Sequence, residues 1–109
     1  AEANAVQLKD WAVAANRLYY AVYYIVSALL VKNNYIAHTY AGTRILFNQH
    51  FIKTGIVSKE LGRLYSKLFE TRQMGDYDDF FDLEEKDIFP LLEPVNAFIC
   101  EIEKLINIK

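Results

Sequence analysis

Residues 11–32 read WAVAANRLYYAVYYIVSALLVK, a run of 22 residues that contains neither Gly nor Pro. Ala, Leu and Val supply much of this run, which predicts one continuous helix about 33 Å long at a rise of ~1.5 Å per residue. Apolar side chains occur nearly all round the predicted helix. We therefore expect it to be buried on most sides, as the central helix of a bundle.

A polar stripe interrupts the apolar surface of this predicted helix. Asn16, Tyr20, Tyr23 and Ser27 have the i, i+4, i+7, i+11 spacing that places side chains on one helical face. A buried helix with such a stripe must either provide partners for the polar groups or line a cleft.

Arg17 lies next to this stripe, and a charged side chain in a buried helix is costly unless it is paired. One interpretation is a structural salt bridge with a carboxylate of a neighbouring helix, Asp76 or Glu70. The other is a functional contact, in which Arg17 binds a phosphate or nucleotide and Tyr20 stacks on it. On the first interpretation, we expect Arg17 and Asp76 within salt-bridge distance.

The rest of the chain shows no alternating strand pattern, so we predict one all-α domain over residues 1–109, an up-down bundle of four to five helices. Besides the central helix, helices are expected at 1–8 (the end of a truncated first helix), 39–51, 59–74 and 84–108. Asn33-Asn34 would end the central helix. Ser58 would cap the start of the helix at 59–74, and Gly75 would end it. Pro90 and Pro94 imply that the last helix begins near Phe89 or is kinked.

The charges are unevenly distributed, although the net charge is only −2. Residues 1–75 hold nine Lys and Arg against four Asp and Glu, and residues 76–109 hold three against ten. The acidic run from Asp76 to Asp87 is either a solvated loop and helix start or a contact with the basic half of a second copy.

Several chemistries find no support in the sequence. Two histidines, His38 and His50, and one cysteine lack metal-ligand spacing, and no glycine-rich phosphate loop occurs, so we expect no metal and no cofactor. The single cysteine allows no intrachain disulfide. The apolar run from Leu18 to Val31, about 14 residues, is too short for a membrane span, so we expect a cytoplasmic protein.

His38 falls in a predicted connector, where it either contacts a ligand or is simply exposed. Arg44 and His50 are six residues apart, as in some ribonuclease motifs. At 3.6 residues per turn they point about 120° apart, so we interpret this spacing as a coincidence.

Three motifs occur together: N-R-x-Y-Y-A from Asn16, K-T-G from Lys53 and R-x-x-x-D-Y from Arg72. They belong to the segments NRLYYAVYYIVSALL (16–30), FIKTG (51–55) and LGRLYSKLFETRQMGDYDDF (61–80), with His38 in the loop between the first two. In this order they resemble the HEPN (higher eukaryotes and prokaryotes nucleotide-binding) family, in its branch of small stand-alone bacterial and archaeal proteins.

The resemblance covers about residues 5–106 and implies a helical bundle that is usually dimeric. Many HEPN proteins are encoded beside a small nucleotidyltransferase, and many are ribonucleases or toxins. Active HEPN ribonucleases carry an R-x(4–6)-H motif, whereas here Tyr77 is the fifth residue after Arg72. With an ordinary pKa near 10, tyrosine is a poor base at neutral pH, so binding without efficient cleavage is the leading interpretation.

Three functions stay open at this point. The first is a dimer that binds a nucleotide or RNA in a cleft lined by Arg17, Tyr20, Arg72, Asp76 and Tyr77, with His38 as a further candidate. The second is a ribonuclease in which Tyr77 or His38 replaces the missing histidine. The third is a purely structural partner of a nucleotidyltransferase, for example an antitoxin-like or toxin-like subunit of a nucleotidyltransferase–HEPN pair. Eight Tyr, seven Phe and one Trp exceed what one small core readily hides, which also favours a homodimer.

Overall fold

The computed structural model describes residues 11–77 and 83–108, without the side chains of residues 75–77. These residues form four α-helices and one π-helical turn, and no strand occurs among them. The elements are α1 Trp11–Lys32, α2 Tyr40–Phe47, the π-helical turn Asn48–Ile52, α3 Lys59–Tyr77 and α4 Glu85–Ile106. The all-α prediction is confirmed, and the helix predicted at residues 1–8 lies outside the described residues.

The central position predicted for residues 11–32 is also confirmed, because α1 packs against α2, α3 and α4. Its side chains Tyr19, Val22, Val26 and Leu29 are at most 1% exposed. The other helices complete the core with Phe47, Phe51, Tyr65, Leu68, Val95, Phe98 and Ile102. Burial of this apolar and aromatic surface is the main force that holds the bundle together.

Contacts at the helix ends give the directions of the helices. Arg72, near the end of α3, lies beside Asn16, near the start of α1, so α3 runs antiparallel to α1. Lys32 ends α1, and its Nζ donates to the backbone oxygens of Leu105 (3.2 Å), Ile106 and Ile108 beyond or at the end of α4. Helix α4 therefore runs parallel to α1.

One face of α1 is exposed, while its other sides are buried or half-buried as expected. Val13, Tyr24 and Val31 are 45%, 66% and 69% exposed, and Arg17 and Ala28 lie on the same face. The other three helices pack against one broad side of α1 and leave this face uncovered by the described residues. Arg17 is thus not a buried charge.

By length and composition α1 could cross a membrane, since its 22 residues are longer than the apolar run from Leu18 to Val31 alone. The core helix of a soluble bundle meets the same criterion, and α1 fills that position here. This helix is therefore no evidence of a membrane protein.

The sequence predicted most helix ends correctly. Asn34 has a φ of 63°, the left-handed conformation expected after a helix, and the N–H of Tyr35 donates to the oxygen of Leu30 (2.9 Å). Ser58 Oγ accepts from the N–H of Leu61 (3.4 Å) at the start of α3. The predicted stop at Gly75 is wrong, because α3 continues to Tyr77. A glycine inside a helix costs about 1 kcal/mol, which weakens a helix without ending it.

Both prolines lie within α4, so the predicted start near Phe89 is wrong. Pro90 and Pro94 are four residues apart and exposed on one face. Each removes one backbone hydrogen bond, and on an exposed face water can hydrate the carbonyl oxygen that is left without a helical donor. The helix can therefore begin at Glu85, where Glu84 and Asp87 form a capping box.

The segment predicted as one helix over 39–51 is divided in two. After α2, the helix widens into the π-helical turn, in which the N–H of Lys53 donates to the oxygen of Asn48 (2.8 Å), five residues back. On these elements Phe47, which helical spacing places inside, is buried together with Thr43, whereas Ala41 and Ile45 at the same spacing are exposed. Thr43 tolerates burial because its Oγ1 donates to the oxygen of Thr39 (3.0 Å).

Candidate functional site

Arg72 is held between α3 and α1 by the polar stripe of the central helix. Its Nε donates to Asn16 Oδ1 at 2.7 Å, and its Nη2 donates to the hydroxyl of Tyr20 at 3.3 Å. The guanidinium carbon also lies 5.3 Å from the ring centroids of both Tyr19 and Tyr20. Hydrogen bonds and cation–π contacts together fix the position of this charge.

Tyrosine rings continue outward from Arg72 across α1 and the start of α2. The ring centroids of Tyr20 and Tyr24 are 6.0 Å apart and stacked, and those of Tyr23 and Tyr40 are 4.8 Å apart at 72°. A hydrogen bond of 3.4 Å joins the hydroxyls of Tyr20 and Tyr40. Tyr24 and Tyr40 are 66% and 45% exposed, so the cluster runs from the core to the surface. We call this set the Arg72–tyrosine cluster: Asn16, Tyr19, Tyr20, Tyr23, Tyr24, Tyr40 and Arg72.

Local sequence explains how the rings are brought together. Two consecutive tyrosine pairs on α1, 19–20 and 23–24, are one helical turn apart, so each pair presents one ring inward and one outward. Tyr40 is the first residue of α2, and Thr39 positions it because its side-chain oxygen accepts from the N–H of Gly42 at 2.8 Å. This cap places the start of α2 over the middle of α1.

Tyr19 and Tyr40 keep their protons at neutral pH. Burial raises the pKa of Tyr19 above its ordinary value of 10, against the opposing effect of the Arg72 and Arg44 charges. The hydrogen bond shared with Tyr20 raises the pKa of Tyr40 to about 12. The described side chains of the cluster therefore offer a cation, hydroxyl groups and aromatic faces, and Tyr19 and Tyr40 are not general bases at neutral pH.

The structure brings together some of the predicted site residues. Arg72 and Tyr20 are in direct contact, and Asn16, from the predicted stripe, joins them. Arg17 lies on the exposed face of α1, since one residue along a helix is a rotation of about 100°. The burial predicted for the Arg17 charge is therefore wrong, and its pairing with Asp76 stays a prediction because the Asp76 side chain lies outside the described part of the chain.

The remaining predicted residues are not part of the contacts described. His38 is exposed between α1 and α2 and makes no hydrogen bond, ion pair or ring contact with other residues in the described ranges. Asp76 and Tyr77 belong to the last turn of α3, and their side chains are outside the described part of the chain. Among the described residues, no group of three or more His, Cys, Asp or Glu could hold a metal ion.

The sequence did not lead us to place Tyr19, Tyr24, Tyr40 or Arg44 in the site. The guanidinium of Arg44 lies 4.7 Å from the ring centroid of Phe69 on α3, next to the cluster. Arg44 and His50 have different partners, because the His50 ring stacks on Tyr35 at 3.9 Å. Threonine is a favoured N-cap residue, so Thr39 is the sequence signal that could have placed Tyr40 at the start of α2.

Comparison with known proteins defines the class to which this bundle belongs. A family model described as HEPN domain matches residues 2–105. The chain therefore belongs to the HEPN domain family, as its motifs indicated.

Several named proteins are similar to the chain. A UPF0332 protein of Thermotoga maritima is 42% identical over 94 residues, which cover 86% of this chain and 71% of that protein. A Methanocaldococcus jannaschii protein named "putative toxin" is 29% identical over 91 residues, covering 84% of this chain and 62% of its own length. A second protein of that organism with the same description is 27% identical over 94 residues. No solved structure gave a significant match.

Proposed function

We propose that this HEPN domain binds a nucleotide or RNA at the Arg72–tyrosine cluster, as a homodimer in the cytoplasm and without efficient cleavage. The observation that carries the proposal is the position of the Arg72 guanidinium, 5.3 Å from the rings of Tyr19 and Tyr20, because the exposed rings of Tyr24 and Tyr40 contact Tyr20 in turn. A cation attracts phosphate, and an exposed ring offers a base a stacking surface worth about 1–3 kcal/mol.

Further contacts are proposed from the motif and from exposure. Arg17 and His38 are exposed on either side of the tyrosines along the chain and can approach a bound phosphate. Asp76 and Tyr77 are proposed from the R-x-x-x-D-Y motif, whose backbone forms the last turn of α3.

Dimer formation is proposed from the surface that α1 leaves uncovered. Val13, Ala28 and Val31 are exposed apolar residues of α1 on the side of the helix opposite the core. A second copy related by a two-fold axis would cover these three residues, leave Tyr24 at the edge of the contact, and bring the two clusters close together. The paired clusters would then form one cleft for an RNA strand.

Binding is tested with fluorescence anisotropy of a labelled dinucleotide. We expect Tyr24→Ala to weaken binding about tenfold, because it removes an exposed stacking face, and Tyr24→Phe to retain binding, because the ring remains. Arg72→Lys should weaken binding as well, since ammonium cannot reproduce the two directed hydrogen bonds. Equal affinity for the Ala and Phe variants would remove the tyrosine surface from the proposed site.

The absence of efficient cleavage is tested by restoring the family motif. We expect Tyr77→His to increase the rate of RNA cleavage at pH 7 by about 10² or more, because imidazole can accept the proton of a 2′-hydroxyl. Tyr77→Phe is the matched control and should leave the rate at its basal level. Rapid cleavage by the unaltered protein that Arg72→Ala abolishes would show that it is a ribonuclease already.

That result would favour the alternative function, a ribonuclease or toxin component of a nucleotidyltransferase–HEPN pair. The observation behind this alternative is the name "putative toxin" given to two relatives. In this case expression of the chain alone should arrest the growth of the host cells. Co-expression of a nucleotidyltransferase encoded beside it should relieve the arrest. A chain without effect on growth would leave binding without cleavage as the better account.

A further inference from the structure

An open groove of about 1070 Å³ lies between α3 and the π-helical turn, apart from the Arg72–tyrosine cluster. Three basic side chains line its α3 side at intervals of four residues, Lys59, Arg63 and Lys67, and Lys53 lies on the other side. Four residues advance a helix by about 6 Å with little rotation, so the three α3 charges form a row along the groove.

The groove has a marked excess of positive charge. Among the described residues that line it, Glu70, at the end of the row, is the one acidic residue against four basic ones. Within the described residues, the ion pairs join Lys86 to Glu84 and Lys104 to Glu101, so they involve none of the four groove cations. These charges are therefore available to a ligand rather than committed to the fold.

The rest of the lining suits a phosphate–sugar backbone. Asn48, Gln49 and Ser66 add groups that donate hydrogen bonds. Gly62 forms the floor, where an added Cβ would lie 3.3 Å from Ile52 Cδ1, so a side chain at this position would crowd the wall formed by the π-helical turn. Widened helical turns of this kind occur often at functional sites.

Helix α2 connects the groove to the proposed binding site. Tyr40, at the start of α2, belongs to the cluster, and Ile45, near its end, lines the groove. Arg44 lies between them, with its guanidinium 4.7 Å from the ring centroid of Phe69. A single RNA strand that runs along α2 would therefore meet cationic side chains along its length.

We infer that the groove binds the backbone of single-stranded RNA whose adjacent nucleotides occupy the Arg72–tyrosine cluster, an inference that rests on the proposed function. Lys, Arg, Ser, Asn and Gln are the side chains that contact phosphates and sugars, and a cationic groove of this type binds without sequence preference. An acidic protein surface fits less well, because lysine is depleted in the cores of protein–protein interfaces.

The test compares two ligands and two double variants at several salt concentrations. The ligands are a labelled dinucleotide, which can occupy only the cluster, and an oligouridine of about 16 nucleotides, which can also reach the groove. The variants are Arg63→Gln/Lys67→Gln in the groove and Lys86→Gln/Lys104→Gln on α4, which remove the same charge. Circular dichroism verifies that all of them are folded.

For the groove variant, we expect affinity for the oligouridine to fall about tenfold at low salt, and the salt dependence of log K to become less steep by about 1.4, since each lost phosphate contact contributes about 0.7. Dinucleotide binding should be unchanged, and the α4 variant should behave like the original protein.

Other outcomes overturn the inference in distinguishable ways. Normal oligouridine binding by the groove variant would show that the groove does not bind RNA, and it would leave the proposed function intact. An equal loss with the α4 variant would mean a general charge effect. A groove variant that binds RNA normally but changes from dimer to monomer would assign the groove to the acidic segment of a second copy. Failure of the original protein to bind either ligand would overturn the proposed function and the groove together.

Discussion

Tyr20 connects the charge of the candidate site to its exposed aromatic surface. Its hydroxyl accepts a hydrogen bond from Arg72 Nη2 and is joined to the hydroxyl of Tyr40. Its ring stacks on the ring of Tyr24. These four residues, Tyr20, Tyr24, Tyr40 and Arg72, come from three different helices. One phenol thus orients a cation, a neighbouring hydroxyl and a stacking face together.

This arrangement predicts the titration of Tyr40. The hydrogen bond with Tyr20 raises the pKa of Tyr40 to about 12, so Tyr20→Phe should lower it toward the ordinary value of 10. Because the folded protein holds this proton more tightly than the unfolded chain, the associated stabilisation is present below about pH 10 and is lost as the pH rises through 12. Ultraviolet or NMR titration of the tyrosines measures this, with Tyr35→Phe as the control. An unchanged midpoint for Tyr40 in Tyr20→Phe would contradict the assigned cause.

At the scale of residues, part of the cluster could be predicted from the sequence. Helical spacing grouped Asn16 with Tyr20, and the family motif indicated Arg72. The same spacing left the orientation of Arg17 open, because it cannot tell which faces of an apolar helix the other helices will cover. Tyr40 and Arg44 come into contact with α1 and α3 through tertiary packing, which local sequence does not encode.

At the scale of elements, Asn34 ends α1 in a left-handed conformation with a φ of 63°. We expect Asn34→Ala to lower the free energy of unfolding by about 1 kcal/mol, because an alanine Cβ is strained there. Asn34→Gly, the matched variant, should keep or raise the stability, since glycine adopts this conformation at no steric cost. Urea denaturation at pH 7 compares the two, and equal stability of both variants would show that the conformation at this residue changes in the mutants.

The bounds of the elements followed sequence signals where those signals were strong. Residues 11–32 form one helix from end to end, since nothing in them interrupts it. Two helix-breaking residues gave wrong bounds, because Gly75 does not end α3 and Pro90 does not start α4. In both places the energy gained by continuing the helix exceeds a local cost of about 1–3 kcal/mol.

At the scale of the whole molecule, the uncovered face of α1 predicts a dimer. Light scattering at micromolar concentration should give about twice the chain mass of 12.7 kDa. Val31→Asp, which places a charge on this face, should shift the mass toward that of one chain, and Ile56→Asp, an exposed position elsewhere, should not. A mass that stays at 12.7 kDa up to high concentration would exclude the dimer and the shared cleft.

The parallel course of α1 and α4 has an electrostatic consequence. The peptide dipoles of two helices that run in the same direction add their partial negative charges, about half an elementary charge each, at one end of the bundle. The Lys32 ammonium lies at this end and donates to the carbonyl oxygens that α4 leaves without a helical donor. A single side chain thereby neutralises two helix C-termini at once, and acetylation of Lys32 would restore the repulsion between them.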